Sequence, residues 1–522
     1  MQTAFDWTPQ DLEVLQRHGI SREEAERQLR LFERPARPLL LDRPCTLGDG
    51  IRRLEAAEQT ACLEAYETAR EAGRWLKFVP ASGAASRMFA TLLEVLHSGD
   101  SLRREDLAER QDDTAAQVLR FFAALERFAF YEVLQRSMTA AGQDLRALVA
   151  GGDFRPVLVH LLTNSGLDFA NLPKALLPFH RHPQGARTAL EEQLIEAAHS
   201  IPDRTGRCRM HFTVAFEARA RFTALVASVV PALEPRLGVQ FDIGFSSQKP
   251  STDTIAVDAD NRPFRSANGE LLLRPGGHGA LIENLSDLGA DLVTIKNIDN
   301  VATEEQLDET VRWKKLLGGA LCLLEQRLSA HAARLRTGAV GGRALDAALR
   351  FARDELMLSI PEAIATAPPQ QQQQWLLRHL QRPLRVCGMV RNTGEPGGGP
   401  FWVRGGDGET TVQIVERAEI DPESSDQQRI FATMTHFSPV DLVCSLRDAS
   451  NRPFALRDHV DLGAVFISDK TSAGRKLRAL EHPGLWNGGM SDWNTLLVEV
   501  PGSTFNPVKT ITDLLRPAHQ PR

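Results

Sequence analysis

The sequence predicts an α/β fold built on a mostly parallel central sheet, and three observations carry that expectation. Short apolar runs at Trp75-Leu-Lys-Phe-Val-Pro80, near Met210 to Val214, near Val239 to Phe245 and at Leu292 to Ile295 read as strands, with helical stretches between them. The first run passes directly into the small-residue loop Ala81-Ser-Gly-Ala-Ala-Ser-Arg-Met88, which opens a helix. The last ends in the polar residues Lys296, Asn297, Asp299 and Asn300. In open α/β sheets, ligands bind just beyond the carboxyl ends of strands.

The remaining elements follow in order. The first ~75 residues read as helical: Ser21 followed by Glu24 makes a capping box, after which Ala25, Leu29 and Phe32 fall on one face. Pro35, Pro38 and Pro44 mark a loop before a second helix near Ile51 to Glu71. A helical insertion occupies about 100–165, with Val118, Leu119, Phe122, Leu125 and Phe128 as its apolar stripe. Thr303 and Gln306 cap a long helix running past Leu317. Pro368-Pro-Gln-Gln-Gln-Gln-Gln374 reads as a surface loop, and Phe401–Arg404 with Thr411–Val415 as a hairpin around Gly-Gly-Asp-Gly. The expected organisation is a helical region at 1–74, a core at 75–460 and a C-terminal extension at 461–522.

With 42% apolar and 25% charged residues the 522-residue chain has a globular composition. A net charge of −6 gives no reason to expect nucleic acid as partner. Six scattered cysteines without a CxxC pair indicate buried reduced thiols rather than zinc or disulfides. With no signal-like N-terminus and no long apolar run, a cytoplasmic protein that avoids membranes is expected.

Several segments have ligand-like chemistry, each with an ordinary structural alternative. In the Ala81–Met88 loop, small side chains let backbone N–H groups of Ser82, Gly83 and Ala84 approach phosphate oxygens, and Arg87 can pair with the same phosphates. Without GK[ST] it is not a P-loop, and a tight turn explains it equally. Pro173 fixes the backbone before Lys174. Gln248 offers an amide to a base edge or to a turn. Gly276 and Gly277, beside His278, permit close backbone approach to a flat ligand or simply form a loop. Arg391–Phe401, which includes Asn392, is a candidate lid or linker. Glu416 and Glu419 suit sugar hydroxyls or a solvated strand end, and Lys509 is a second lysine close to a proline. Asp299 is placed to hold a divalent cation against phosphates, or to form an Asn/Asp turn.

In this order the segments resemble the UDP-sugar pyrophosphorylase superfamily, UDP-N-acetylglucosamine pyrophosphorylases in particular, over roughly residues 75–515. The whole chain also resembles a bacterial protein family. The resemblance implies a nucleotidyltransferase core of GT-A-like type. It matches the family's Gly-rich nucleotide loop to Pro80–Met88, its phosphate lysine to Lys174, its uracil-contacting glutamine to Gln248 and its base-binding loop to Pro275–Gly279. It further matches the metal-binding aspartate to Asp299, the sugar-side run to Val415–Glu419, and the closing Phe-x-Pro-x-Lys to Phe505–Lys509. The implied reaction joins an NTP, expected to be UTP, to a sugar 1-phosphate with Mg²⁺, releasing pyrophosphate. Two departures stand out. The usual Gly-Gly-x-Gly-Thr-Arg is here Ser-Gly-Ala-Ala-Ser-Arg, and Phe431-Ala-Thr-Met-Thr-His-Phe437 lacks the family's asparagines, which leaves N-acetylhexosamine recognition open. Two other readings stay open: a sensor that binds a nucleotide or nucleotide-sugar without catalysis, and a transferase acting on another acceptor with His278 as participant.

Overall fold

Leu292–Lys296 is a strand buried at every position in the computed structural model of the chain, as expected of a parallel strand covered on both faces. The structure describes residues 5, 7–33, 38–337, 342–394, 397–405 and 408–521. Pro35, residues 395–396 of the candidate lid and residues 406–407 of the hairpin turn lie outside the described residues.

The chain forms two units. The first comprises residues 1–78, 246–295 and 315–502, and the second 79–245, 296–314 and 503–522. In the first unit the strands of the central sheet run Thr46–Leu47, Gly50–Arg52, Asn494–Glu499, Leu384–Arg391, Asp441–Ser445, Leu292–Lys296 and Trp75–Pro80. Leu292 pairs with Trp75, Leu384 with Asn494, and Leu497 with Ile51, all in parallel. Asp441–Ser445 is the antiparallel exception, with Val386 opposite Val443. Phe78, Val293, Ile295, Leu442 and Leu497 share one core. The fold is thus mixed α/β with a mostly parallel central sheet. A three-stranded antiparallel sheet (Leu40–Pro44, Gly399–Arg404, Thr410–Val415) contains the expected hairpin, with Arg404 opposite Thr410.

The second unit contains the neighbouring strands Arg207–Thr213 and Gln240–Ser246 and the helical insertion, which divides into short helices between Arg104 and Leu162. Val118, Phe122, Leu125 and Phe128 are buried there, and Phe122 stacks on Phe154 with ring centroids 3.8 Å apart.

Four local expectations are corrected. Ile51 lies in a strand, and the helix begins only at Ala56. Pro368–Gln374 is not a loop: Pro369 occupies the first helical position of Pro369–Leu380, where its missing N–H costs nothing, and Trp375, Leu376 and Leu380 anchor the helix. Ser21 does accept from the Glu24 N–H at 3.1 Å, but Glu24 turns its carboxylate to Arg27 and Gln28, so the box is half formed. The Thr303 side chain makes no capping bond; a 3-10 turn, Glu304–Gln306, leads into the helix Leu307–Thr337. All six cysteines are buried, as expected. Among the described residues no helix is long and apolar enough to cross a membrane.

Candidate functional site

Three backbone ladders in the second unit bring distant segments together. The Ala81 N–H donates to Thr213 O at 2.8 Å, fixing the loop where the strand Trp75–Pro80 ends. Ala84 bridges Pro173, the Lys174 N–H donates to Gly83 O (3.1 Å), and the Ala85 N–H to Leu172 O (2.9 Å). Asn300 bridges Pro507, the Val508 N–H donates to Asp299 O (3.0 Å), and the Asn506 N–H to the Asn300 side-chain oxygen (2.9 Å). The Ile511 N–H closes the circuit on Met88 O at 3.0 Å.

The side chains follow the backbone. Lys174 begins a 3-10 turn after Pro173 (φ −58°), and its Nζ donates to Asp299 Oδ2 at 2.9 Å and to Val508 O at 2.8 Å. Lys509 Nζ lies 3.4 Å from the same Oδ2. The Lys174 side chain is 12% exposed and that of Lys509 56%. Burial pushes the Asp299 carboxyl toward protonation, but the charges of Lys509 and Lys174 outweigh it and hold the group below the usual carboxylate range. Two ammonium groups therefore face one carboxylate, an excess of positive charge suited to a phosphate. Ser82, Gly83, Ala84 and Arg87 are exposed, and a Cβ on Gly83 would meet nothing within 4 Å, so the space before the loop is open.

Asp299 is the carboxylate here that could hold a divalent cation. Both lysines use Oδ2, and Oδ1 makes no hydrogen bond among the described residues. No group of three His, Cys, Asp or Glu suited to a metal occurs among the described residues. One carboxylate completed by substrate phosphates and water is an ordinary Mg²⁺ environment.

Lys296 is not available to a ligand. It is buried against Glu196, which Lys314 also approaches at 3.4 Å. The sequence reading missed what anchors the C-terminal segment. His519 Nδ1 is 2.8 Å from His180 Nε2, and His180 Nδ1 is 3.0 Å from Glu192 Oε1, all buried. The Thr303 N–H also donates to Ala518 O at 3.3 Å. Isolated histidines with no motif spacing gave no signal of this chain.

The other site candidates belong to the first unit. Gln248 donates to Asp253 Oδ1 at 3.3 Å, and Asp253 holds His18 Nδ1 at 2.9 Å. Gly276 and Gly277 are demanded by packing: a Cβ on Gly276 would lie 2.4 Å from Thr252 O, and Gly277 (φ +77°) would bring one to 2.9 Å from Glu481. His278 stacks on Trp486, accepts from the Leu485 N–H at 3.2 Å, and is held neutral by burial, which pushes its pKa down to about 4. The Asn392 side chain caps its own turn at the Gly394 N–H (3.0 Å). The Glu416 N–H donates to Glu419 Oε2 at 2.7 Å. Burial, then the charge of Glu481, raises the Glu416 pKa; burial raises Glu419 to about 8.

A family profile spans residues 8–520. The chain belongs to the family described as Domain of unknown function (DUF4301). No curated protein matches it. Solved structures similar to it include the Leishmania major UDP-glucose pyrophosphorylase in complex with UDP-glucose. That pair shares 12% identity over 98% of this chain and 79% of the other, with a TM-score of 0.46. The Trypanosoma brucei uridine diphosphate N-acetylglucosamine pyrophosphorylase in complex with an inhibitor gives 12% identity over 94% and 74%, and a TM-score of 0.47. A putative UDP-N-acetylglucosamine pyrophosphorylase from Entamoeba histolytica gives 11% over 90% and 84%, with 0.43.

Proposed function

We propose that this DUF4301 member is a nucleotidyltransferase that joins an NTP, UTP in the first instance, to a sugar 1-phosphate with release of pyrophosphate. The observation that carries the reading is the meeting of Lys174 and Lys509 on Asp299 Oδ2, laced by backbone hydrogen bonds to the open Gly83 loop.

In the reaction, a phosphate oxygen of the sugar phosphate attacks the α-phosphorus in line. The bond from that phosphorus to the bridging oxygen of the β-phosphate breaks, and pyrophosphate leaves with the electron pair. The nucleophile is already anionic, so no general base is needed. What the chain must supply is positioning and charge neutralisation. Lys174 and Lys509 would leave Asp299 for phosphate oxygens, Arg87 would add a third cation from the loop, and the N–H groups of Ser82, Gly83 and Ala84 would cradle the triphosphate. When bound, Mg²⁺ would be held by Asp299 and would neutralise further phosphate charge.

The test is pyrophosphate release from UTP with a panel of sugar 1-phosphates and Mg²⁺, repeated with K174A. Release that K174A abolishes supports the reading. UTP binding without release from any acceptor or NTP would replace it with a nucleotide-binding sensor.

A further inference from the structure

A separate cavity of about 290 Å³ lies in the first unit behind the glycine-rich loop. Gly279 and Ala280 form one wall, and the turn Gly19–Ser21 that opens the helix Arg22–Glu33 forms another. Neither Gln248, Gly276, Gly277, Asn392 nor Glu416 lines it. Its apolar surface comes from Ile20, Ala280, Ile282, Val460, Leu462 and Pro483.

The charged lining is unequal. Arg27, Lys249 and Arg457 oppose Glu24 and Glu283. Arg27 is engaged by Glu24 through two hydrogen bonds of 2.8 Å, and Lys249 by Asp287 at 2.7 Å. Arg457 is different. Its guanidinium makes no hydrogen bond among the described residues; its one carboxylate neighbour, Glu283, is 3.8 Å away, and its side chain is 65% exposed. His482 adds no charge: its Nε2 is 2.8 Å from Thr252 O, and burial pushes its pKa down. The cavity thus combines an apolar patch with one guanidinium held only by a 3.8 Å ion pair to Glu283, the group best shaped to take two oxygens of a planar or tetrahedral anion.

We propose that this cavity binds a small organic anion: a carboxylate or phosphate on a compact apolar body, the anion on Arg457 and the body against Ile20, Ile282 and Val460. The volume suits a ligand of one ring, at the small end of protein pockets. Because Gly279 and Ala280 belong to the wall, an occupant bears directly on the glycine-rich loop. The proposal does not depend on the reaction above.

The test is isothermal titration of the full chain with phenyl phosphate and with benzoate, using benzyl alcohol and inorganic phosphate as controls. Saturable binding of phenyl phosphate or benzoate, weaker by about tenfold in R457A, is expected, as loss of a charge-assisted hydrogen bond implies. R457K should fall between the two. The stronger of the two ligands identifies the anion as phosphate or carboxylate. Arg457 is exposed, so R457A should melt at the wild-type temperature. The proposal is overturned if neither aromatic anion binds, if benzyl alcohol or inorganic phosphate binds as tightly, or if R457A leaves the affinity unchanged.

Discussion

Lys174 Nζ and Asp299 Oδ2 lie 2.9 Å apart across a sequence separation of 125 residues. The pair is nearly buried, and Val508 O accepts a second hydrogen bond from the same ammonium. A phosphate bound here would have to compete for a lysine that is already held in place, at the aspartate's expense.

Removing either member separates their roles. K174A should lower pyrophosphate release by about 10²–10³, the usual loss for one preorganised charge-stabilising group. D299N should lose the Mg²⁺ dependence of UTP binding, yet bind UTP without Mg²⁺ at least as tightly, because both lysines are then released to phosphate. Titration of UTP with and without Mg²⁺ reads this. Weaker metal-free binding by D299N would show that Asp299 does not restrain the lysines.

Lys509 is the more exposed lysine and sits farther from Asp299. K509A should therefore cost less stability than K174A, which also loses the hydrogen bond to Val508 O, while reducing turnover. A parallel loss of stability and activity would make Lys509 a structural residue.

Two glycines should respond in opposite ways. In G276A the new methyl would lie 2.4 Å from Thr252 O, so the loop must shift, at about 1–3 kcal/mol. In G83A it would meet nothing within 4 Å, so the melting temperature should hold. If phosphate approaches the Gly83 backbone, G83A should instead weaken UTP binding. Unfolding curves and titration of both variants decide the matter.

Acid should loosen the second unit. Burial, then the charge of His180, lowers the His519 pKa to about 3 from an ordinary 6.5. Between those values the unfolded chain binds the extra proton, so stability falls as pH drops from 6.5 toward 3. Melting temperatures of wild type and H519Q across this range should show a shallower slope in the variant. Glu419 acts with the opposite sign. Burial raises it to about 8 from 4.5, so the folded state holds the proton and stability falls as pH rises between 4.5 and 8. E419Q should gain stability relative to wild type as pH rises through that window.

The strands were legible because they are local. Trp75–Pro80 is apolar and bounded by a small-residue loop, and Leu292–Ile295 is too short and too apolar for anything but a buried strand. Misread elements failed where local chemistry was ambiguous. Glutamines after Pro369 resemble low complexity, yet they are good helix formers, and Trp375 and Leu376 supply the burial that selects a helix. Glu24 could cap a helix or pair with Arg27, and the nearer guanidinium won.

The sequence by itself determined the fold class, the rough place of the main strands and the residue types on offer, because periodicity and turn chemistry act over a few residues. Only the tertiary structure decided which of them meet. It placed Lys174, Lys509 and the Gly83 loop around Asp299, and committed Lys296 to Glu196. It also locked the C-terminal segment through His180 and His519. A lysine looks the same in sequence whether it faces solvent or a buried carboxylate. That choice is made by ladders between segments far apart in the chain, such as Gly83 with Lys174 and Asp299 with Val508, which no local pattern encodes.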